Sequence, residues 1–303
     1  VANVTNSTIG TGFLPAIWAN EALEILRSNI VLAPLVTKDS DVATFEVGNT
    51  LHIPYPGTFT ANAKATNTAV TLQTPTGTDT TVTLNKHYEA SFLVEDFTRA
   101  QANPILMRSY IQGQTVALAE QVETDLIALY SSFSTTVGTS GTDLTAATLR
   151  TVSKTMTDKK VAKGNRHLLL STKDRISLQA DSTLQNFFAY NDNRDHGVTG
   201  DQPVNIYGLQ LHESQLVPVV AGTPNSTKNL AFDPGAIILA SRALPEAPAG
   251  SGVEQHVIQD PVSGLILRVT MGYDKAQLGV QVTMDILYGV AKLRDEKGLT
   301  VLS

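Results

Sequence analysis

The hydrophobic positions of this chain change period along its length. Between Pro104 and Phe133 they recur every three or four residues, at Ile111, Thr115, Leu118, Val122, Leu126, Leu129 and Phe133. That spacing draws one stripe along one face of a helix. Good helix formers fill the remainder, among them Ala117, Ala119, Glu120, Gln121 and Ala128, and no proline interrupts. Pro104 suits a first helical position, with Asn103 before it as N-cap. A helix over 104–133 is on the order of 45 Å long. The stripe keeps no strict seven-residue repeat, so the pattern predicts a single spine helix and not a coiled coil.

Ahead of the spine the period is two. Phe45, Val47, Leu51, Ile53 and Tyr55 alternate with Glu46, Gly48, Thr50 and His52, until Pro54 and Pro56 end the strand. Residues 57–83 are mostly Thr, Ala, Asn and Gly, with Val70, Leu72 and Val82 as aliphatic positions. Pro75-Thr76-Gly77-Thr78-Asp79 is a turn signal, and a second strand, Thr80 to Glu89, runs back toward the spine. The pattern predicts a long, thin β-hairpin. Two strands alone are marginal in water and leave both edges open. The hairpin therefore either lies on a neighbouring subunit or is a loosely ordered surface feature. Residues 1–12 are small and polar and cannot order themselves. Phe13-Leu14-Pro15 then leads into a short helix with Leu14, Trp18, Ala22 and Ile25 on its apolar face, ending near Asn29. Ile30 to Val36 is an apolar strip broken by Pro34.

Beyond the spine, Ser131 to Gly141 reads as a linker. Asp143 is expected to cap a helix carrying Leu144, Leu149, Val152 and Met156, with Lys159, Lys160 and Lys163 at its end and Gly164 closing it. His167 to Leu170 is a short buried strand, and Ser171-Thr172-Lys173-Asp174 opens a helix through Ala180. A strand between two helices predicts an α/β core. Residues 190–203 read as a polar loop, and Val204 to Leu211 as a strand pair around Gly208. Asn229 to Phe232 and Ala236 to Ser241 are apolar runs flanking Asp233-Pro234-Gly235. Period two returns at Leu265, Leu267 and Val269, then Leu278, Val280, Val282, Met284 and Ile286. Leu287 to Leu293 and Leu299 to Leu302 finish the chain, and these strands are expected to pack on the spine. No internal repeat is present.

Composition narrows the function classes. The 303 residues suffice for one large domain or two ordinary ones, and 42% apolar residues can fill a core. A net charge of −6 with mixed signs argues against a dedicated nucleic-acid binder. With no cysteine there is no disulfide framework and no thiolate metal site. No apolar run approaches a membrane span, and the first residues lack the basic and apolar segments of a signal peptide.

No catalytic, cofactor-binding or metal-ligating residues emerge. Lys163-Gly164-Asn165 lacks phosphate-loop spacing, and Gly10-Thr11-Gly12 runs into Pro15 where a dinucleotide motif wants its third glycine. Gly138-Thr139-Ser140-Gly141 sets its glycine one residue too early for a nucleophile elbow. The six histidines are scattered without ligand spacing. Asn191-Asp192-Asn193-Arg194-Asp195-His196-Gly197 resembles a calcium loop only in part, because its glycine is late and Gln202 stands where a bidentate Glu belongs. Lys159 to Arg166 is the strongest basic cluster. It holds no aromatic to stack on bases, so a helix terminus accounts for it better than nucleic acid.

In order and spacing, the chain resembles the major capsid (coat) proteins of tailed bacteriophages, the Hong Kong 97-type fold, most closely the podovirus coat-protein branch. Phe13-Leu14-Pro15-Ala16-Ile17-Trp18 with Leu23-Glu24-Ile25-Leu26-Arg27 looks like the N-terminal arm and helix. Val47-Gly48-Asn49-Thr50-Leu51-His52-Ile53-Pro54 looks like the start of the extended loop, and 104–133 like the spine. Arg166 to Ser171, Ile206 to Ser214 and Asn229 to Ala236 resemble the axial domain, and Leu287 to Gly298 the closing strands. The likeness covers nearly the whole chain. It implies an α+β fold with an arm and short helix at 1–42, an extended β-hairpin loop at 43–92, the peripheral-domain spine at 93–140, an α/β axial domain at 141–252 and closing strands at 253–303.

The resemblance further implies a non-enzymatic structural protein located in the virion. Its copies would form pentamers and hexamers of an icosahedral head shell around double-stranded DNA, held without sequence specificity. A scaffolding protein and a portal would be assembly partners in the host bacterial cytoplasm, a decoration protein is a further candidate, and no membrane is involved. Residues 1–12 are too short for a fused scaffold, so a separate scaffold or a removed propeptide is expected. An encapsulin-like cellular shell, a β-rich phage adhesin and an enzyme without recognisable motif are the alternatives. Some relatives join a loop Lys to an Asn of a neighbour's closing strands through an isopeptide bond, with a buried Glu as base. Lys64 and Lys86 are the candidate amines here, but residues 250–303 contain no asparagine. Gln255, Gln259, Gln277 and Gln281 are the carboxamides available, and Glu254 and Glu296 stand in polar surroundings. No cross-link is expected.

Overall fold

The computed structural model describes residues 22, 24–26, 30–39, 50–55, 57, 59–95, 104–184, 205–245, 247–248 and 252–303, with backbone alone at 104–109. The polar arm 1–12, Trp18, Phe45, Val47, Asn103, and the loop 191–197 with Gln202 lie outside the described residues. The strands are β1 (Thr37–Asp39), β2 (Thr50–Tyr55), β3 (Thr78–Thr83), β4 (Lys86–Glu95), β5 (Thr136–Gly138), β6 (His167–Leu170), β7 (Asn205–Ile206), β8 (Leu209–Glu213), β9 (Val219–Val220), β10 (Ser226–Phe232), β11 (Ile237–Arg242), β12 (Val253–Gln259), β13 (Ile266–Asp274), β14 (Gly279–Lys292) and β15 (Gly298–Leu302). The helices with both ends or their full backbone described are α1 (Pro104–Ile127), α2 (Ala146–Asp158) and α3 (Thr172–Ala180), and Ala22, Glu24, Ile25 and Leu26 are also helical.

Strand β14 organises the first sheet. Residues 279–286 pair with β13 and 287–292 with β11, while 279–288 pair with β4. Strands β13 and β11 therefore lie end to end along one edge of β14, and β4 along the other. Ser241 bridges the junction: its Oγ accepts from Ile266 N at 3.1 Å and donates to Leu287 O at 3.1 Å. Strand β12 extends the sheet beyond β13, and β1 joins β11 in parallel. The spine α1 crosses this sheet. Ile111, Leu118, Val122 and Leu126 are buried with Val269, Val282, Met284 and Ile286, as the stripe predicts. Gln114 fastens the crossing by donating to Ala90 O (2.9 Å) and Val282 O (3.3 Å). The α-helix stops at Ile127 and tightens into a 3-10 turn over Ala128–Ser132, short of Phe133. The last carbonyls are claimed from outside, since Tyr130 O accepts from Thr300 Oγ1 at 2.8 Å.

The second sheet runs β5-β15-β10-β6-β8-β7, with β9 on the end of β10. Helices α2 and α3 cover one face through Leu149, Val152, Met156 and Leu178. On the other face Leu169, Leu230 and Phe232 enter the spine's core. Burial on both faces is why Leu168-Leu169-Leu170 of β6 and Leu230-Ala231-Phe232 of β10 read as apolar runs without alternation. Ser171 caps α3, accepting from Asp174 N at 3.2 Å as its motif predicts.

Two local expectations change. The N-cap of α2 is Thr145, not Asp143, and the N–H of Ala146 is taken by Asp181 at 2.8 Å. Asp143 instead pairs with Lys173 at 3.4 Å. The helix closes at Lys160 (φ 62), not at Gly164, because Val161 N bonds Met156 O (3.0 Å) and its buried side chain turns the chain inward.

The chain passes between the two sheets at Asp233-Pro234-Gly235-Ala236 and again over residues 293–297, so β11 lies in the first sheet and β15 in the second. The crossings hold each other: Lys297 Nζ lies 2.7 Å from Asp233 Oδ1, and Asp233 N donates to Lys297 O at 3.0 Å. The expected strand 80–89 is also two strands. It turns at Leu84-Asn85, leaving β3 with β2 and placing β4 beside β14. Leu51, Val82 and Leu84 seat this corner on Ile238 and Ala240. Gly289 permits the approach, since a Cβ there would stand 2.3 Å from Thr83 O.

Candidate assembly surface

Strands β2 and β3 pair from Thr50↔Thr83 to Tyr55↔Thr78. His52 Nδ1 and Asp79 Oδ2 meet at 2.5 Å across them, and Arg294 lies over the Tyr55 ring at 4.1 Å. Beyond this base, no strand and no buried residue occurs among the described residues of 57–77. Gln73 replaces the missing ladder: its Oε1 accepts from Thr60 N (2.9 Å), and its Nε2 donates to Thr60 O (2.5 Å). Phe59, Val70 and Leu72 are 71%, 65% and 89% exposed on this segment. Lys64, also exposed, is the only charge in 57–77. A nearly neutral arm with three bare apolar side chains suits contact with another surface better than free water.

The segment 30–39 enters from the other side. Ile30, Leu32, Ala33 and Val36 are buried against the spine's core, and Thr37 Oγ1 donates to Pro234 O at 2.8 Å. Glu123, on the buried face of α1, accepts from Leu32 N at 3.0 Å and Val31 N at 3.3 Å. It is 1% exposed, and burial pushes its carboxyl up to about 7 against the pull of the two amides. Sequence reading missed it. The available signal was its position, four residues after Ala119 and three before Leu126 on the apolar stripe.

Three further polar clusters stabilise the sheets. Buried Asp285 takes both arms of Arg268, at 3.0 and 2.5 Å, and His87 at 3.0 Å. Tyr288 donates to Asp125 at 2.5 Å, which pairs with Lys86 at 3.0 Å; burial first, then this bond, raises the phenol. His167 and His212, far apart in sequence, meet at 3.1 Å on adjacent strands β6 and β8. Burial lowers both, His212 to about 4, where His167 and Arg175 add to the effect. The basic cluster resolves into a helix terminus: buried Arg166 donates to Ser153 O and Thr157 Oγ1, each at 3.0 Å, at the end of α2.

The cross-link candidates are not brought together as a buried site. Lys64 is exposed, and Lys86 is engaged by Asp125. Gln259, Gln277 and Gln281 are exposed, while Gln255 accepts from Ala247 N at 2.8 Å. Glu254 and Glu296 are both exposed. Among the described residues no three His, Cys, Asp or Glu side chains group to hold a metal, and no helix is long and apolar enough to cross a membrane.

No family model matches the sequence, and no curated protein does. Solved structures do match. A chain from Mycobacterium phage Che8 superposes with a TM-score of 0.66 at 16% identity, over 90% of each chain. The capsid of cyanophage P-SCSP1u gives 0.64 at 14% identity, covering 90% of this chain and 87% of that one. The fold is that of the Hong Kong 97-type phage capsids. A virus-like particle from Pyrococcus furiosus is similar at a lower TM-score of 0.52, with 10% identity over 93% and 96%. Within the Hong Kong 97-type fold, the hairpin tip of this chain has no core of its own, and segment 30–36 shares that of α1.

Proposed function

We propose that this chain is the major capsid protein of a tailed bacteriophage. Its copies form pentamers and hexamers of an icosahedral head shell enclosing double-stranded DNA, and it is not an enzyme. In this reading residues 1–42 are the arm, 43–92 the extended loop, 93–140 the spine, 141–252 the axial domain and 253–303 the closing strands, with β11 and β15 exchanged between layers. A scaffolding protein and a portal act during assembly in the host cytoplasm. The hairpin tip carries the proposal: on a capsid fold, its exposed Phe59, Val70 and Leu72 are supplied with cover by a neighbouring copy. Deleting residues 58–76 is expected to leave a folded, soluble chain that makes no closed shells under negative-stain microscopy. Normal shells from the deletion would refute the role given to the tip. Native particles carrying protein cargo and no DNA would favour a cellular compartment.

The shell rests on non-covalent contacts in this proposal. With Lys64, Glu254 and Glu296 all exposed, particles boiled in detergent are expected to run as one band near 32.4 kDa. A ladder of higher bands would point first to Lys64.

A further inference from the structure

Glu123 has no role in the shell reading, yet it occupies the centre of the spine's buried face. Its partners are the main-chain amides of Val31 and Leu32, which open the 3-10 turn Ala33–Leu35. Leu32 is the N-cap of that turn and offers no side-chain oxygen, so the acceptor comes from 91 residues away. Oε1 is buried with no hydrogen-bond partner. The remainder of the seat is apolar, formed by Ile30, Leu32, Ala33 and Val36 against Ala119, Val122 and Leu126.

Among the described residues, the charges of the elements packed on this seat are engaged or at the surface. On α1 itself, Glu120 is exposed and Asp125 is shared by Lys86 of β4 and Tyr288 of β14. On β1, Lys38 donates to Val262 O and Asp39 is half-buried; Glu24 is exposed. None of these enters the shift of the carboxyl, which burial raises and the two amides pull down. The neutral acid keeps its carbonyl oxygen on both amides. The ionised form makes stronger bonds to them but holds an unpaired charge in an apolar seat.

We propose that Glu123 is a proton-operated latch on segment 30–36, seated when the carboxyl is protonated and loosened when it ionises. The inference concerns the chain itself and holds whether or not the shell reading does. The sign follows from linkage. A carboxyl raised in the folded chain contributes its full stability below its ordinary value of 4.5, and that contribution is lost as pH rises through about 7. The ceiling on the change in the opening equilibrium is about 300-fold, tenfold for each pH unit between the two values.

Hydrogen exchange of the unassembled full chain, corrected for intrinsic rates, tests this. Between pH 5 and 8.5 the peptide spanning 30–36 is expected to lose at least tenfold in protection, while β14 stays constant. Glu123→Gln keeps the carbonyl acceptor and removes the titration, so its protection is expected to be flat with pH. A flat wild type, or a Gln variant with the same slope, overturns the latch. If the variant does not fold, carbon-13 NMR of glutamate-labelled wild type decides instead. One carboxyl titrating near 7 supports the proposal, and all of them titrating in the ordinary range refutes it.

Discussion

Strand β6 and the hairpin tip lie at opposite ends of one scale, the support each draws from its own chain. All of β6 is buried between α2 and α3 on one side and the spine's core on the other. The tip has neither face covered, and a single Gln73–Thr60 bridge stands where a ladder would be. Both segments lack alternation, for opposite reasons. In β6 three leucines follow one another because both faces are inside; in the tip nearly every position is small or polar because neither is. Where partner surface is missing within the chain, the stabilising contact has to come from another molecule.

Substitutions at the two ends of this scale sharpen it. The largest effect is expected from Phe232→Ala, which empties a fully buried site beside the His167 ring and costs about 3–5 kcal/mol in a urea melt. A cost under about 1 kcal/mol would mean the layer is less closed than its burial indicates. Asn229→Ala comes next. Asn229 accepts from Ser171 N at 2.8 Å and donates to Asp174 at 2.6 Å, and Ser303 also donates to Asp174 at 2.9 Å. Leaving Ser171 N–H unpaired in the interior is expected to cost about 2 kcal/mol.

The same layer should weaken in acid. His212 is lowered in the folded chain, so its contribution is complete above pH 6.5 and is lost as pH falls toward about 4. His212→Gln is expected to flatten that part of the stability–pH curve, and an unchanged slope would assign the acid loss elsewhere. The direction is opposite to that of Glu123, so two layers of one chain respond to opposite ends of the pH scale. The smallest effect on folding is expected at the tip. Phe59→Ser and Leu72→Ser should each move the melt by less than about 0.5 kcal/mol while lowering the yield of closed shells. A larger shift in the melt would reveal support within the chain and break the comparison.

Local physics made much of this fold readable. The stripe from Ile111 to Leu126 and the alternation of Val282, Met284 and Ile286 each report the face they bury. Ser171 announced the start of α3 because capping is settled within three residues. Features that depend on distant pairing were silent. Nothing near Leu299 signals that β15 leaves the strands before it, and nothing near His167 signals His212. Glu123 lay between the two cases: its place on the stripe was visible, but its partners are backbone amides that carry no side-chain signature.

The corner at Leu84-Asn85 also decides how force travels. A pull on the tip along the axis of β4 meets ten paired residues, Lys86–Glu95 against Gly279–Tyr288. Rungs loaded side by side share the tension, whereas rungs peeled from one end fail singly. Strand β14 then passes the load to β11 and β13 on its far edge, and β11 passes it to β1. The hairpin is thus rigged as a guy-line anchored in the middle strand of the sheet, and strain on it is delivered to the whole sheet in shear.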